Sequence, residues 1–329
     1  MIKDNKQKLE DFKSKVNRYT KNGVPYLFVL DFELEKPFVC KLEDVEKENI
    51  FYSIKGKGNL PDKKQEKKIS LITELISKDK YTKAFTQVLK AINKGDSYLL
   101  NLTFSNKIKL RPKLGLKEIL LTAKATYKLF FKDKFISFSP ESFIQIKKNE
   151  IFTFPMKGTI NAEIENAKTI ILNDSKETQE HNTIVDLLRN DLSIVATDVK
   201  INKFRYIDKL KTSKGDILQV SSEISGVLPN NWRENFGGII LKLLPAGSIS
   251  GAPKQKTVKI IKEVEQNKRG YYTGVFGVFD GENVDSAVLI RYIEKLNNEL
   301  FYKSGGGITY QSNVESEYEE LFQKIYIPY

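Results

Sequence analysis

Histidine and cysteine are almost missing from this chain of 329 residues: His181 and Cys40 are the only ones. A single cysteine excludes an internal disulfide, and a single histidine leaves too few ligands for a zinc site of the Cys/His kind. A histidine-dependent triad can be built only around His181. Any metal is therefore expected to be a hard ion held by carboxylates. The sequence also lacks a long apolar run and a signal-peptide pattern, which points to a soluble, cytoplasmic protein without membrane association.

What is present is a composition 40% hydrophobic, enough for a large core in one big domain or two closely joined lobes. The net charge is +12, a balance that nucleic-acid binders share. Here the lysines are spread along the chain, with one dense patch at Lys63, Lys64, Lys67 and Lys68. No helix-turn-helix, zinc-finger or RNA-recognition pattern accompanies them. We read them as solvated faces, expect no nucleic-acid partner, and note that a positive field favours an anionic small substrate.

In chain order, Leu9, Phe12, Val16 and Tyr19 recur at helical spacing and stop at Asn22-Gly23. Val24 to Phe32 reads as a buried strand, followed by short strands at Phe38 to Cys40 and Phe51 to Ile54. The polar, lysine-rich residues 61–74 read as a connection between a short N-terminal portion, 1–60, and a main body, 75–329. In that body a helical face is formed by Tyr81, Ala84, Phe85, Val88 and Ile92. Further helices are expected near 116–125, 175–190 and 231–244, and from about 315. Strands are expected at 98–104, 135–138, 143–146, 151–154, 216–227, 272–280, 284–293 and 299–304. The three around 135–154 suggest an antiparallel meander. Neighbouring strands broken by helices argue for an α+β fold: a two-layered antiparallel β-sandwich around a central cleft, with helices outside.

Four features carry chemistry. Lys157 stands between Pro155 and Gly158 at the end of a strand, a setting that can aim an amine into a cleft or simply make a surface turn. On the helix at 175–190, Glu177, Glu180, Ile184, Leu187 and Asp191 share one stripe, so acids fall on the side that ought to be apolar. Glu317 and Glu320 repeat this on the final helix. Two such pairs suit a Mg²⁺ between them, or else pairing with lysines and the helix dipole. The glycine-bearing loop Leu244 to Lys254, with Ser250 as an N-cap candidate, and the run Gly305-Gly306-Gly307 offer backbone amides to anions, or are plain turns. Arg291, placed by alternation with Ala287 and Leu289 on one strand, needs an anion or a salt bridge.

Taken in order, Gly95-Asp96-Ser97-Tyr98, Ser139-Pro140-Glu141-Ser142-Phe143, Pro155-Met156-Lys157-Gly158-Thr159, Glu180-His181, Val185 to Asp191, Gly247 to Lys254, Arg269 to Gly274, and Gly305-Gly306-Gly307 with Glu315 to Glu320 form a specific set. Over roughly 75–329 the chain resembles the chorismate-binding enzymes. Lysine at 157, where anthranilate synthases have alanine, is similar to the aminodeoxychorismate-synthase branch, component I. That resemblance implies amination of chorismate at C4 by ammonia from a glutamine amidotransferase subunit, with Mg²⁺ as cofactor. Anthranilate synthase component I is the alternative branch.

The resemblance also implies roles for single residues. Lys157 would be the nucleophile at C2 and Glu141 the general acid/base. Glu180 and Glu320 would bind Mg²⁺, with Glu177 and Glu317 supporting them. Thr159, Ser250, Tyr272, Arg291, Gly305, Gly306 and Gly307 would hold substrate. The chain departs from relatives at Leu99, where others have glutamine or a water-activating lysine, and at Gln219, where anthranilate synthases have a histidine associated with pyruvate elimination. It also lacks a recognisable tryptophan-holding N-terminal segment.

Overall fold

The computed structural model describes residues 2–61, 69–212 and 215–328. The lysine patch at 63–68 and half of the expected connection at 61–74, residues 62–68, lie outside the described residues. Where the description resumes, Ser70–Glu74 is a strand paired with Leu99–Arg111.

Two antiparallel sheets make the fold, nine strands in each among the described residues. One runs Met156–Asn161, Gly215–Val227, Glu150–Thr153, Ser142–Lys147, Val284–Val288, Val275–Phe279, Tyr26–Leu30 and Phe38–Lys41, with Thr197–Thr212 on the other side of Gly215–Val227. The second runs Gly251–Ala252, Leu99–Arg111, Glu299–Ile308, Tyr292–Leu296, Phe135–Ser139, Tyr127–Phe131, Ile50–Ile54 and Lys57–Gly58. The strands at 26–30 and 50–54 pair with strands more than 70 residues away in each sheet, so the N-terminal portion and the main body share both layers.

The faces explain the sequence. Every residue of Tyr26–Leu30 is buried because the strand is covered on both sides. Leu27 and Val29 meet Tyr52, Leu129, Phe131 and Phe276 between the sheets. Tyr26, Phe28 and Leu30 turn the other way, toward Phe12 and Val16 of helix Ile2–Lys21 and Trp232 and Phe236 of helix Trp232–Leu243. A strand with two apolar faces reads as a continuous run and not as an alternation. The architecture is thus the expected α+β sandwich with helices outside. No helix among the described residues is long and apolar enough to cross a membrane.

Two expectations are corrected. The three strands around 135–154 are not one meander: Phe135–Ser139 belongs to one sheet, Ser142–Lys147 and Glu150–Thr153 to the other. Pro140 and Glu141 make the crossing. The strand expected over 284–293 is likewise broken, because the chain leaves one sheet after Val288 and joins the other at Tyr292. Arg291 lies in that link with φ 49°, so its side chain is placed by a turn and not by alternation with Ala287 and Leu289. The two crossings are tied to each other: Val288 N–H donates to Glu141 O (3.2 Å), and Phe138 N–H donates to Arg291 O (3.1 Å).

Candidate active site

A cavity of about 620 Å³ opens where both sheets change over, and Glu141, Lys157, Glu180, Tyr272, Arg291, Gly305 and Gly307 line it. The sequence had spread these residues over 167 positions between 141 and 307, and the topology gathers them. Leu99, Gln179, Gln219, Ser248, Lys303 and Lys324 complete much of the wall.

Lys157 is the second residue of strand Met156–Asn161 and reaches Glu180 on helix Ser175–Ser193, Nζ to Oε2 2.6 Å. Burial works to lower its pKa, but Glu180, Glu177 and Glu320 outweigh it and hold the amine above the ordinary lysine value. The neighbouring Gly158 has φ 89°, and a Cβ there would stand 3.1 Å from Glu177 Oε2. Glycine is needed on both counts, for the left-handed backbone and for the close approach.

Glu141 accepts a hydrogen bond from Ser248 Oγ at 2.5 Å. Burial pushes its pKa up, opposed by that bond and by the charges of Arg291 and Lys324. Ser248 is delivered by the loop after Leu244. That loop is pinned to helix Ser175–Ser193 by the ion pair Lys254–Asp191 (2.9 Å), and Gly247 fits because a Cβ there would meet Asp191 Oδ2 at 2.7 Å. Arg291 keeps a buried Nε–H with no acceptor among the described residues, and its guanidinium lies 5.1 Å from the Tyr326 ring. A buried guanidinium with an unused donor is a ready partner for a carboxylate.

The two glutamate pairs are built alike. Glu180 pairs with Lys157, and Glu320 pairs with Lys324 at 2.6 Å. Glu177 and Glu317 each bury one carboxylate oxygen, Oε2, without a hydrogen-bond partner among the described residues. Burial raises the pKa of both. Glu320 falls below its ordinary value because Lys324, Lys157 and Lys176 outweigh burial. Both pairs lie within electrostatic reach of the same lysines: Glu180, Glu177 and Glu320 act on Lys157, and Lys176 acts on Glu177, Glu317 and Glu320. As placed, no three His, Cys, Asp or Glu side chains among the described residues are gathered closely enough to hold a metal. The all-carboxylate donor set and the two orphaned oxygens nevertheless fit a hard divalent cation.

Three expected substrate contacts are corrected. Ser250 is fully buried, and its hydroxyl donates to Ala246 O (2.8 Å) in a single helical turn, Gly247–Ser250; it caps nothing, and Ser248 faces the cavity instead. Thr159 is exposed and off the cavity wall, two residues beyond Lys157 on the strand. Gly306 turns away from the cavity toward Glu317 Oε2, 3.2 Å from a Cβ at that position, because neighbours on a strand face opposite ways. Glu177, Glu317 and Glu320 lie behind the wall and not on it. His181 is not on the wall either: it is buried against Ser222 Oγ (2.7 Å), and burial pushes its pKa down to about 4.

A family model described as chorismate binding enzyme matches residues 32–328. Among curated relatives, an uncharacterized PabA-like protein of Haemophilus influenzae is 48% identical over 97% of this chain and 97% of its own length. Aminodeoxychorismate synthase component 1 of Escherichia coli is 30% identical over 76% of this chain, which spans 57% of that protein. Among solved structures, anthranilate synthase component I from Streptococcus pneumoniae superposes with a TM-score of 0.62 at 27% identity, over 78% of this chain and 58% of that one.

Proposed function

The chain belongs to the chorismate-binding enzymes, and from that membership we propose that it is the synthase subunit that converts chorismate and ammonia to 4-amino-4-deoxychorismate. The observation that carries the reading is Lys157: an amine on the wall of a cavity whose other walls hold a buried carboxyl, Glu141, and a guanidinium with an unused donor, Arg291. An amine in that position has no counterpart in the anthranilate-forming branch, where the resemblance puts alanine.

Chorismate is a dianion of ring size, and its two carboxylates call for cationic or donor partners. Arg291, Tyr272 and the backbone at Gly305 and Gly307 line the cavity and would supply them. Lys324, which donates to Gly305 O (2.9 Å), adds a second cation on that wall. Glu177, Glu180, Glu317 and Glu320 would hold Mg²⁺. When bound, that ion would anchor a substrate carboxylate and neutralise the acids that keep Lys157 protonated.

Lys157, its ammonium proton given up to solvent, attacks C2, the ring double bonds shift, and the C4 hydroxyl leaves with a proton from Glu141, giving water and a lysine adduct. Ammonia adds at C4, the double bonds shift back, and the C2–N bond to Lys157 breaks. Two displacements replace one unfavourable exchange of hydroxyl for amine. The raised pKa of Glu141 keeps its proton available at a pH where an exposed carboxyl has lost it. Leu99 on the wall cannot activate water, and Gln219 cannot shuttle a proton for loss of pyruvate. Free ammonia is mostly protonated near neutrality, so a glutamine amidotransferase partner that delivers ammonia fits this chemistry.

Incubation with chorismate, Mg²⁺ and ammonium tests the proposal. The expected product carries an amine in place of one hydroxyl and retains pyruvate until a separate lyase is added. Fluorescent anthranilate formed without the lyase would instead assign the chain to the anthranilate branch.

A further inference from the structure

The wall residue Tyr272 sits in a stretch that does not support itself. Gly270 has φ 64° and Thr273, a β-branched residue, has φ 60°, so left-handed backbone brackets Tyr271 and Tyr272. Such a turn persists only where its surroundings hold it. The hold comes from the N-terminal turn after strand Tyr26–Leu30, far from the motifs that carry the family resemblance. Glu33 accepts from both Arg269 N–H (2.8 Å, Oε1) and Gly270 N–H (2.9 Å, Oε2). Phe32 N–H donates to Gly270 O (2.8 Å), and Tyr271 Oη–H donates to Lys36 O (3.0 Å). From the cavity side Lys303 Nζ donates to Arg269 O (2.9 Å) while paired with Glu294 (2.8 Å).

We propose that Glu33 is a positioning residue of the active site: its carboxylate, straddling two consecutive backbone amides, sets where Tyr272 stands in the cavity wall. The proposal rests on the reading of Tyr272 as a substrate contact. It gives the N-terminal portion a part in substrate binding that none of its described residues plays by direct contact, since none of them lines the cavity. Two charge-assisted bonds from one rigid fork fix both the height and the tilt of the peptide, which a single bond would not.

The test is steady-state kinetics on Glu33→Ala, Glu33→Gln, Tyr272→Phe and the double variant Glu33→Ala/Tyr272→Phe, with Lys268→Ala as control. Lys268 lies on the same loop and makes only the exposed pair with Glu35. Glu33→Ala is expected to raise KM for chorismate roughly tenfold, the scale of one lost contact to a charged group, with kcat within about twofold. Glu33→Gln keeps one acceptor and should fall between, which also covers an alanine variant that folds poorly. Lys268→Ala should match wild type. In the Tyr272→Phe background Glu33→Ala should add little, because both changes act through one side chain. Full multiplication of the two effects, or an unchanged KM in Glu33→Ala beside a raised KM in Tyr272→Phe, overturns the positioning role alone. Failure of wild type to turn over chorismate overturns the functional reading, and this inference with it.

Discussion

Lys157 Nζ and Glu180 Oε2 stand 2.6 Å apart on the wall of the cavity that also holds Glu141 and Arg291. The pair fixes the resting state of the amine. Burial works against its charge, but Glu180, Glu177 and Glu320 outweigh it and hold its pKa above the usual lysine value, so the charged form is favoured beside Glu180.

Replacing Lys157 with arginine keeps a cation beside Glu180 but removes a group that can lose its proton. Turnover should disappear at every pH, while chorismate affinity, read by calorimetry, stays within about threefold because the charge is retained. Activity that survives in Lys157→Arg would contradict a nucleophilic role.

Glu141→Gln should lower kcat by about 10²–10⁴-fold, the usual weight of a general acid. A pH profile of Ser248→Ala gives a sharper check. Glu141 must be protonated to act, so activity falls as pH rises through its raised pKa. The Ser248 hydrogen bond stabilises the carboxylate and lowers that pKa. Its removal should shift the alkaline limb to higher pH; a shift to lower pH would sink the assignment.

Glu177 gives a prediction of opposite sign for stability. Its folded pKa is raised above the unfolded value by burial, so the charged form costs stability once pH exceeds the unfolded value, and protonation relieves that cost as pH falls. Glu177→Gln should therefore raise Tm in magnesium-free buffer at neutral pH. It should also weaken the stabilisation that added Mg²⁺ gives to wild type, by about 10–100-fold in the concentration required. A variant that melts lower without the ion, yet responds to it like wild type, would remove Glu177 from the cation site.

Arg269 and Glu265 are 2% and 4% exposed and share a bidentate pair. Arg269→Met leaves a buried carboxylate, bonded then only to Thr103, with no cation. Urea unfolding should show a loss of about 3–5 kcal/mol, larger than for any exposed ion pair of the chain.

Much of this was open to reading in the sequence, for stated reasons. Helix Lys78–Asn93 carries a clean apolar period, and the acids of helix Ser175–Ser193 betrayed themselves by sitting on its inner stripe. Thr197–Thr212 was missed because it is an edge strand with no buried residue in its described part and three shifts of register, which erase the alternation. The crossings at Glu141 and Arg291 were missed because local pattern cannot say which sheet the next strand joins. Ser248 and Lys324 carried no signal of their own: a serine in a glycine loop and a lysine among 54 Lys and Arg gain meaning only from what they touch.

The most direct test of the account is the mass of the intact protein, trapped after incubation with chorismate and Mg²⁺ in the absence of ammonia. A species heavier by chorismate less one water, mapped to the peptide that contains Lys157 and lost on adding ammonium, is the expected result. No adduct from a preparation that converts chorismate fully to the aminated product once ammonium is supplied, or an adduct on another residue, would contradict it.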